Sequence, residues 1–164
     1  MRPGRMLTVV AVLGLGVALV AGCSSGSSNK SSKKGGAGGV TAPSGGTGTP
    51  VAVDVGDTTG TAGPMTLTVV PASVAAGKVT FTVKNSGTIT HEMVVLKTDT
   101  PFDQLTVNAA EGKVDEATSA GETGDVEAGK TKAVTLDLTA AKYVLVCNIK
   151  DHYKMGMRAS FTVT

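Results

Sequence analysis

The sequence predicts an all-β fold, a β-sandwich that follows a segment without a folded core. The supporting observations are short runs of alternating apolar and polar residues, 22 glycines, and the lack of long apolar helical stripes. The 164 residues suffice for one ordinary domain and exclude a large multidomain enzyme. With three phenylalanines, two tyrosines and no tryptophan, the core must be mainly aliphatic.

Residues 1–22 have the pattern of a bacterial lipoprotein signal peptide. Two arginines precede an apolar run, residues 6–20, that is too short to span a bilayer comfortably. The run leads into the letters VAGC ending at Cys23, which resemble the lipobox of bacterial lipoproteins. The resemblance implies cleavage before Cys23 and lipidation of its thiol, with the mature chain anchored to the cell membrane outside the cytoplasm. An ordinary secretory leader or an uncleaved anchor is the alternative.

Residues 23–50 are predicted to be the lipidated cysteine and a disordered linker. The segment is rich in Ser, Gly and Thr and nearly free of large apolar side chains, so burial cannot offset the entropy lost on ordering. Flexible-chain scaling gives this tether an r.m.s. reach of about 30 Å.

Residues 51–164 carry the alternation of a folded β domain. In the clearest run, residues 78–84, Val79, Phe81 and Val83 point one way and two threonines the other, as in a strand with one buried face. The other predicted strands are residues 65–70, 90–97, 132–138, 142–147 and 159–164. Six or seven short strands separated by turn residues indicate a β-sandwich.

The alternation fails between Asp99 and Glu127, where eight acidic side chains stand against Lys113 alone. We expect an irregular acidic excursion between strands, with a short helix near residues 101–105. The whole chain has 15 basic and 13 acidic residues, and two of the basic ones lie in the predicted leader. The mature chain therefore has no net charge and no basic block, so nucleic-acid binding is not expected.

Four side chains combine into a candidate metal site. If lipid occupies Cys23, Cys147 has no partner for an intrachain disulfide. Cys147, His152 and Met157 follow one another at five-residue intervals, and the only other histidine is His91. Each alone is more simply a core residue, but their joint spacing favours a metal. Thiolate, thioether and imidazole favour copper over magnesium, calcium or manganese, and two imidazoles with one thiolate and a weak axial thioether are typical of blue-copper electron transfer.

The residues around these side chains resemble a known family. The sequence GTITH ending at His91, and YVLVCNIKDHYKMGM ending at Met157, are similar to the small cupredoxins, notably the long-loop type found in rusticyanin and sulfocyanin. The resemblance covers most of residues 51–164. It implies a cupredoxin-like Greek-key β-sandwich that binds one type 1 copper ion through His91, Cys147, His152 and Met157.

Near the expected ligands, one methionine competes with Met157 and two sites depart from the family pattern. Met155 competes for the axial place, but the family spacing favours Met157. Family loops of this length commonly carry Pro-Gly before the second histidine, where this chain has Lys150-Asp151. Many members carry Asn after the first histidine, where this chain has Glu92. We expect these departures to affect the reduction potential and site stability more than the ligand set.

The expected function is that of a membrane-tethered, monomeric electron carrier between an extracytoplasmic protein donor and acceptor. His152 would expose its ring edge as the electron port. Catalysis is not expected, because a catalytic copper needs further histidines and a binuclear site needs a second nearby cysteine. The alternative is copper storage or delivery through the imidazole of His91 and the thioethers of Met93, Met155 and Met157. A scaffold without metal is a third possibility.

Overall fold

The computed structural model describes residues 47–164. The predicted signal peptide, the lipidation site at Cys23 and the linker up to residue 46 lie outside the described residues. Residues 47–164 form strands, turns and irregular segments without a helix, which confirms the predicted all-β class. Consequently, this part of the chain contains no helix long and apolar enough to cross a membrane.

Two sheets and a small hairpin contain all the described strands. In chain order the strands are β1 Thr49–Asp57, β2 Met65–Val70, β3 Ser73–Val74, β4 Gly77–Asn85, β5 Val94–Lys97, β6 Val107–Asn108, β7 Lys113–Val114, β8 Ser119–Glu122, β9 Thr131–Leu138, β10 Ala141–Val146 and β11 Arg158–Val163. The first sheet has the order β2-β1-β4-β9, the second has the order β3-β11-β10-β5-β8, and β6 pairs with β7. Because β4 and β5, and likewise β9 and β10, belong to different sheets, the chain crosses repeatedly between the layers.

The main core lies between the two sheets. The predicted inward face of residues 78–84 is confirmed, since Val79, Phe81 and Val83 of β4 are fully buried. Phe81 meets Phe161 of β11 edge to face, with ring centroids 5.3 Å apart. Burial of each such side chain stabilises the fold by about 1.5–3 kcal/mol, so this contact helps to hold the sheets together.

A second, smaller core lies on the opposite face of β5 and β10. Val94 and Leu96 of β5 and Val146 of β10 are buried there together with Val114 and Tyr153. Val114 belongs to the acidic excursion and helps to cover one side of the second sheet. The excursion is less irregular than predicted, because it contains the β6–β7 hairpin and β8, the edge strand of the second sheet. Both faces of β10 are therefore buried, which accounts for its continuous apolar sequence.

The prediction of a short helix near residues 101–105 is wrong. The Gln104 N–H donates to the Pro101 carbonyl at 2.9 Å and closes a single turn. The Tyr153 hydroxyl then donates to the Phe102 carbonyl and accepts the Leu105 N–H, each at 2.9 Å. The tyrosine thus uses backbone groups that a helix would need for its own hydrogen bonds.

Two strand boundaries also differ from the expectation. The strand β1 begins at Thr49, two residues inside the segment that the sequence analysis assigns to the linker. The strand β5 begins at Val94 rather than at residue 90. Its ladder stops there because the Met93 N–H donates to the Thr123 hydroxyl and the Glu92 N–H donates to the Cys147 sulfur.

Candidate metal centre

Three of the predicted site residues converge at one end of the sandwich. His91, Cys147 and His152 each offer a donor atom, and these atoms lie within 4.8 Å of one another. The two Nδ1 atoms of the histidines are 3.2 Å apart, and the Cys147 Sγ is 3.4 Å from the His152 Nδ1. None of the three residues is more than 3% exposed. The structure therefore joins residues from distant parts of the chain in one buried cluster.

His91 is placed by the backbone on one side and by a carboxylate on the other. It forms an isolated antiparallel bridge with Val126, in which each N–H donates to the other residue's carbonyl, at 3.1 and 2.6 Å. Its Nε2 lies 3.0 Å from the Oδ1 of Asp57, the last residue of β1. Because Asp57 engages Nε2, the Nδ1 of His91 is directed to the cluster.

The Asp57 carboxylate is buried but remains ionised. Burial raises its pKa, yet hydrogen bonds from the Thr88 hydroxyl, from the Thr88 and Gly60 N–H groups and from His91 outweigh that effect and hold the pKa well below its usual range. The Ile89 N–H donates to the same carboxylate at 3.2 Å. Asp57 thus presents a negative charge to the back of the His91 ring.

Asn85 holds the same loop from the other side. Its amide donates to the Ile89 carbonyl at 2.7 Å and to the Val126 carbonyl at 2.8 Å, and its oxygen accepts the Gly87 N–H at 2.8 Å. Gly87 is required for this packing, because a Cβ there would overlap the Asp57 carboxylate. The sequence predicts a turn at Asn85–Gly87. In the structure, residues 85–89 form a hydrogen-bonded loop that leads into His91.

Cys147 follows β10 directly and lies fully inside the main core. Its N–H donates to the Met157 carbonyl at 3.1 Å, and its sulfur accepts the Glu92 N–H at 3.4 Å. Burial raises the pKa of the Cys147 thiol to about 11. A metal ion that binds this sulfur must therefore displace its proton.

His152 lies within the compact turns that connect β10 to β11. The Met157 N–H donates to the His152 carbonyl at 3.2 Å, and the Met155 N–H lies within hydrogen-bond distance of the carbonyls of both Asp151 and His152. Burial, followed by the neighbouring His91, lowers the pKa of His152, which favours the neutral ring that metals bind. With 3% exposure, the ring is almost completely covered, so the expected exposed edge is wrong.

The excursion supports the loop where Pro-Gly is missing. Asp151 takes a left-handed backbone conformation with φ of 66°. Its N–H donates to the Gly112 carbonyl at 2.8 Å. Asn148 accepts the Val114 N–H at 2.8 Å and donates to the Val114 carbonyl at 3.0 Å. Contacts with the β6–β7 hairpin thus replace part of the rigidity that a proline would provide.

The methionines differ in burial. Met157 is fully buried in the core cluster that also contains Cys147, whereas Met155 is partly buried and packs against that cluster. Met93 is also fully buried in the same core. Of the two candidate methionines, Met157 is therefore the more deeply buried.

Sequence reasoning missed Asp57, Asn85 and Asn148. Each has a buried or enclosed side chain that bonds to residues far along the chain. The available signal is an Asp or Asn beside the end of a strand, where such residues ordinarily form turns. That signal does not identify a distant partner.

The converging atoms fit copper by their chemistry. They consist of two imidazole nitrogens and one sulfur, with a buried thioether nearby in the same core, and the carboxylate at the site contacts a ring nitrogen from behind. Thiolate and thioether are soft ligands and imidazole is intermediate, so this set of donors suits copper better than a hard cation such as magnesium or calcium.

The comparison with known families decides the assignment. A family model described as the sulfocyanin (SoxE) domain matches residues 47–164, the whole described region. The chain belongs to the sulfocyanin family. The family and the clustered His, Cys and His donors support one type 1 copper ion as the cofactor. No curated protein matches the sequence significantly.

Solved structures show the same fold at low sequence identity. Rusticyanin from Thiobacillus ferrooxidans is 19% identical over 71% of this chain and 79% of its own, with a TM-score of 0.51. A reduced rusticyanin is 21% identical over 71% of this chain and 81% of its own, with a TM-score of 0.50. Auracyanin A, a "blue" copper protein from Chloroflexus aurantiacus, is 18% identical over 70% of this chain and 99% of its own; its TM-score of 0.46 is too low to support the fold by itself. The rusticyanin matches confirm the predicted cupredoxin-like sandwich.

Proposed function

We propose that this sulfocyanin-family chain carries single electrons through a type 1 copper bound by His91, Cys147, His152 and Met157. The observation that carries the proposal is the convergence of one ring nitrogen from each histidine and the Cys147 sulfur within 4.8 Å. Bound copper supplies a one-electron couple. In this proposal the two imidazoles and the thiolate would hold the ion, and the Met157 thioether would be a further, weak donor.

The protein's part in electron transfer is to keep the donors in one arrangement. His91 is held between Val126 and Asp57, and Cys147 bonds through its backbone to Met157. His152 belongs to a loop tied to the excursion through Asp151. A donor set that moves little needs little rearrangement when the ion changes oxidation state, which favours rapid transfer.

Burial of the donors argues against copper delivery. A protein that passes copper on must exchange ligands with its acceptor, and exchange requires accessible donor atoms. His91, Cys147 and Met157 are fully buried, as is Met93 of the alternative thioether site. We therefore propose electron transfer rather than delivery.

We also propose that the chain is not an enzyme. The sequence has two histidines and two cysteines in total. The proposed site uses both histidines and Cys147, so none remains for a catalytic copper of the kind that needs further imidazoles.

The cellular setting follows from the leader. We propose cleavage before Cys23, lipidation of its thiol, and an extracytoplasmic, membrane-tethered monomer that meets a redox protein donor and a redox protein acceptor. The pattern VAGC and the polar linker support this proposal. A reach of about 30 Å would leave the domain free to turn toward either partner.

Replacing Cys147 with Ser should abolish the intense visible band of the copper(II) form. Only a thiolate among the proposed ligands gives a strongly covalent bond to copper, and serine fits in the space of the cysteine. The measurement is the visible spectrum of the full chain with copper(II), and circular dichroism checks that the variant keeps its β structure. A folded Cys147→Ser protein that retains the band contradicts the blue-copper proposal.

The methionines can be distinguished by their effect on the reduction potential. Met157→Leu should keep copper bound and coloured but raise the potential, because it removes a donor that stabilises the oxidised ion. Met155→Leu is the matched control and should shift the potential less. Voltammetry of both variants is the measurement, and a larger shift for Met155→Leu would show that the axial assignment is wrong.

The anchor can be tested by mass spectrometry of the protein isolated from membranes of its expressing bacterium. The expected mass corresponds to a chain beginning at Cys23 with at least a diacylglycerol attached. Cys23→Ser should carry no lipid. A wild-type protein without the lipid contradicts the tether.

A further inference from the structure

Asp57 contacts the ring nitrogen of His91 that is not the one next to His152. It ends β1 in the first sheet, whereas His91 leads into β5 of the second sheet. Its Oδ1 lies 3.0 Å from the His91 Nε2, and the two side chains are fully shielded from solvent. A buried carboxylate on the far nitrogen of an imidazole is the arrangement that orients histidine ligands in metal sites.

We propose that Asp57 is the positioning residue of the copper centre: its carboxylate commits His91 to the Nε2–H tautomer and stabilises copper(II) relative to copper(I). This inference rests on the proposed electron-transfer function. It adds a residue outside the ligand set that selects the donor atom and lowers the reduction potential.

The tautomer follows from the hydrogen bonds around Asp57. The carboxylate faces N–H groups of Gly60, Thr88 and Ile89 and the Thr88 hydroxyl, at 2.7, 2.8, 3.2 and 2.6 Å respectively. An ionised carboxylate only accepts hydrogen bonds, and this set of donors favours the ionised form. The contact with His91 therefore requires a proton on Nε2. The Nδ1 then carries the lone pair, and it is the atom that lies 3.2 Å from the His152 Nδ1.

The effect on the potential follows from charge. The carboxylate is shielded from water, so its interaction with a nearby ion is screened much less than at the surface. A fixed negative charge attracts copper(II) more strongly than copper(I). Its removal should therefore destabilise the oxidised state selectively and raise the potential.

A purely structural role is the competing explanation, because Asp57 also closes the loop around Thr88. Asp54 provides the matched control. It lies on the same strand, and its carboxylate accepts a hydrogen bond from the Ser86 hydroxyl of the same loop at 2.7 Å, in an exposed position. Asp54→Asn removes an equal charge and a contact with this loop without touching His91.

The first measurement uses the copper-free full chain. Nitrogen-15 NMR of the wild-type imidazoles should show His91 protonated on Nε2 and unprotonated on Nδ1, whereas Asp57→Asn should weaken this preference and yield a mixture. A wild-type His91 protonated on Nδ1 overturns the proposal even if every Asp57 variant fails to fold.

The second measurement uses the copper-loaded full chain. Asp57→Asn should raise the reduction potential, and Asp57→Ala should lower copper(II) affinity about 10- to 100-fold. Asp54→Asn should change either quantity much less. Equal shifts in Asp54→Asn and Asp57→Asn, or an unchanged potential in a folded Asp57→Asn protein, overturn the proposal.

Failure of the proposed function would look different. A wild-type chain that takes up copper(II) without an intense visible band would contradict the type 1 site itself. A coloured wild type whose potential and His91 tautomer do not depend on Asp57 would contradict only the role of Asp57.

Discussion

The buried contact between Asp57 and His91 is the constraint that links the two sheets at the copper end of this protein. It joins the last residue of β1 to His91, which precedes β5 and forms an antiparallel bridge with Val126. The neighbouring loop is shaped to this contact, since Gly87 leaves room for the carboxylate and Asn85 fastens the chain around it. A buried charge is tolerated here because several donors surround it.

The loop between Cys147 and His152 depends on the acidic excursion. The β6–β7 hairpin of the excursion bonds to Asn148 and Asp151, the first and last residues between Cys147 and His152. Tyr153 bonds to the backbone of residues 102–105. The ligand loop is thus supported by a segment that the fold class alone does not require. Both supports together describe how a domain with few aromatic side chains keeps a buried donor set in place.

Much of the fold and the donor cluster was predictable from the sequence, for identifiable reasons. Alternation over residues 78–84 predicted β4 because one of its faces meets the core and the other carries threonines. Cys147 and His152 were conspicuous because the chain has only two cysteines and two histidines, and Met157 stood out by its spacing from them. The remainder depends on distant contacts. Asp57 looks like an ordinary turn residue, the start of β5 depends on Thr123, and the irregular turn after Pro101 depends on Tyr153.

The central claim is that this scaffold holds the donors ready before copper arrives. Crystal structures of the copper-free and copper-loaded full chain test it most directly. The account predicts that His91, Cys147 and His152 keep the same rotamers in the two states, with Asp57 on the His91 Nε2 and the metal on the Nδ1 atoms and the Cys147 sulfur. A copper-free structure in which His91 has rotated away from Asp57, or a copper ion bound elsewhere, would contradict it.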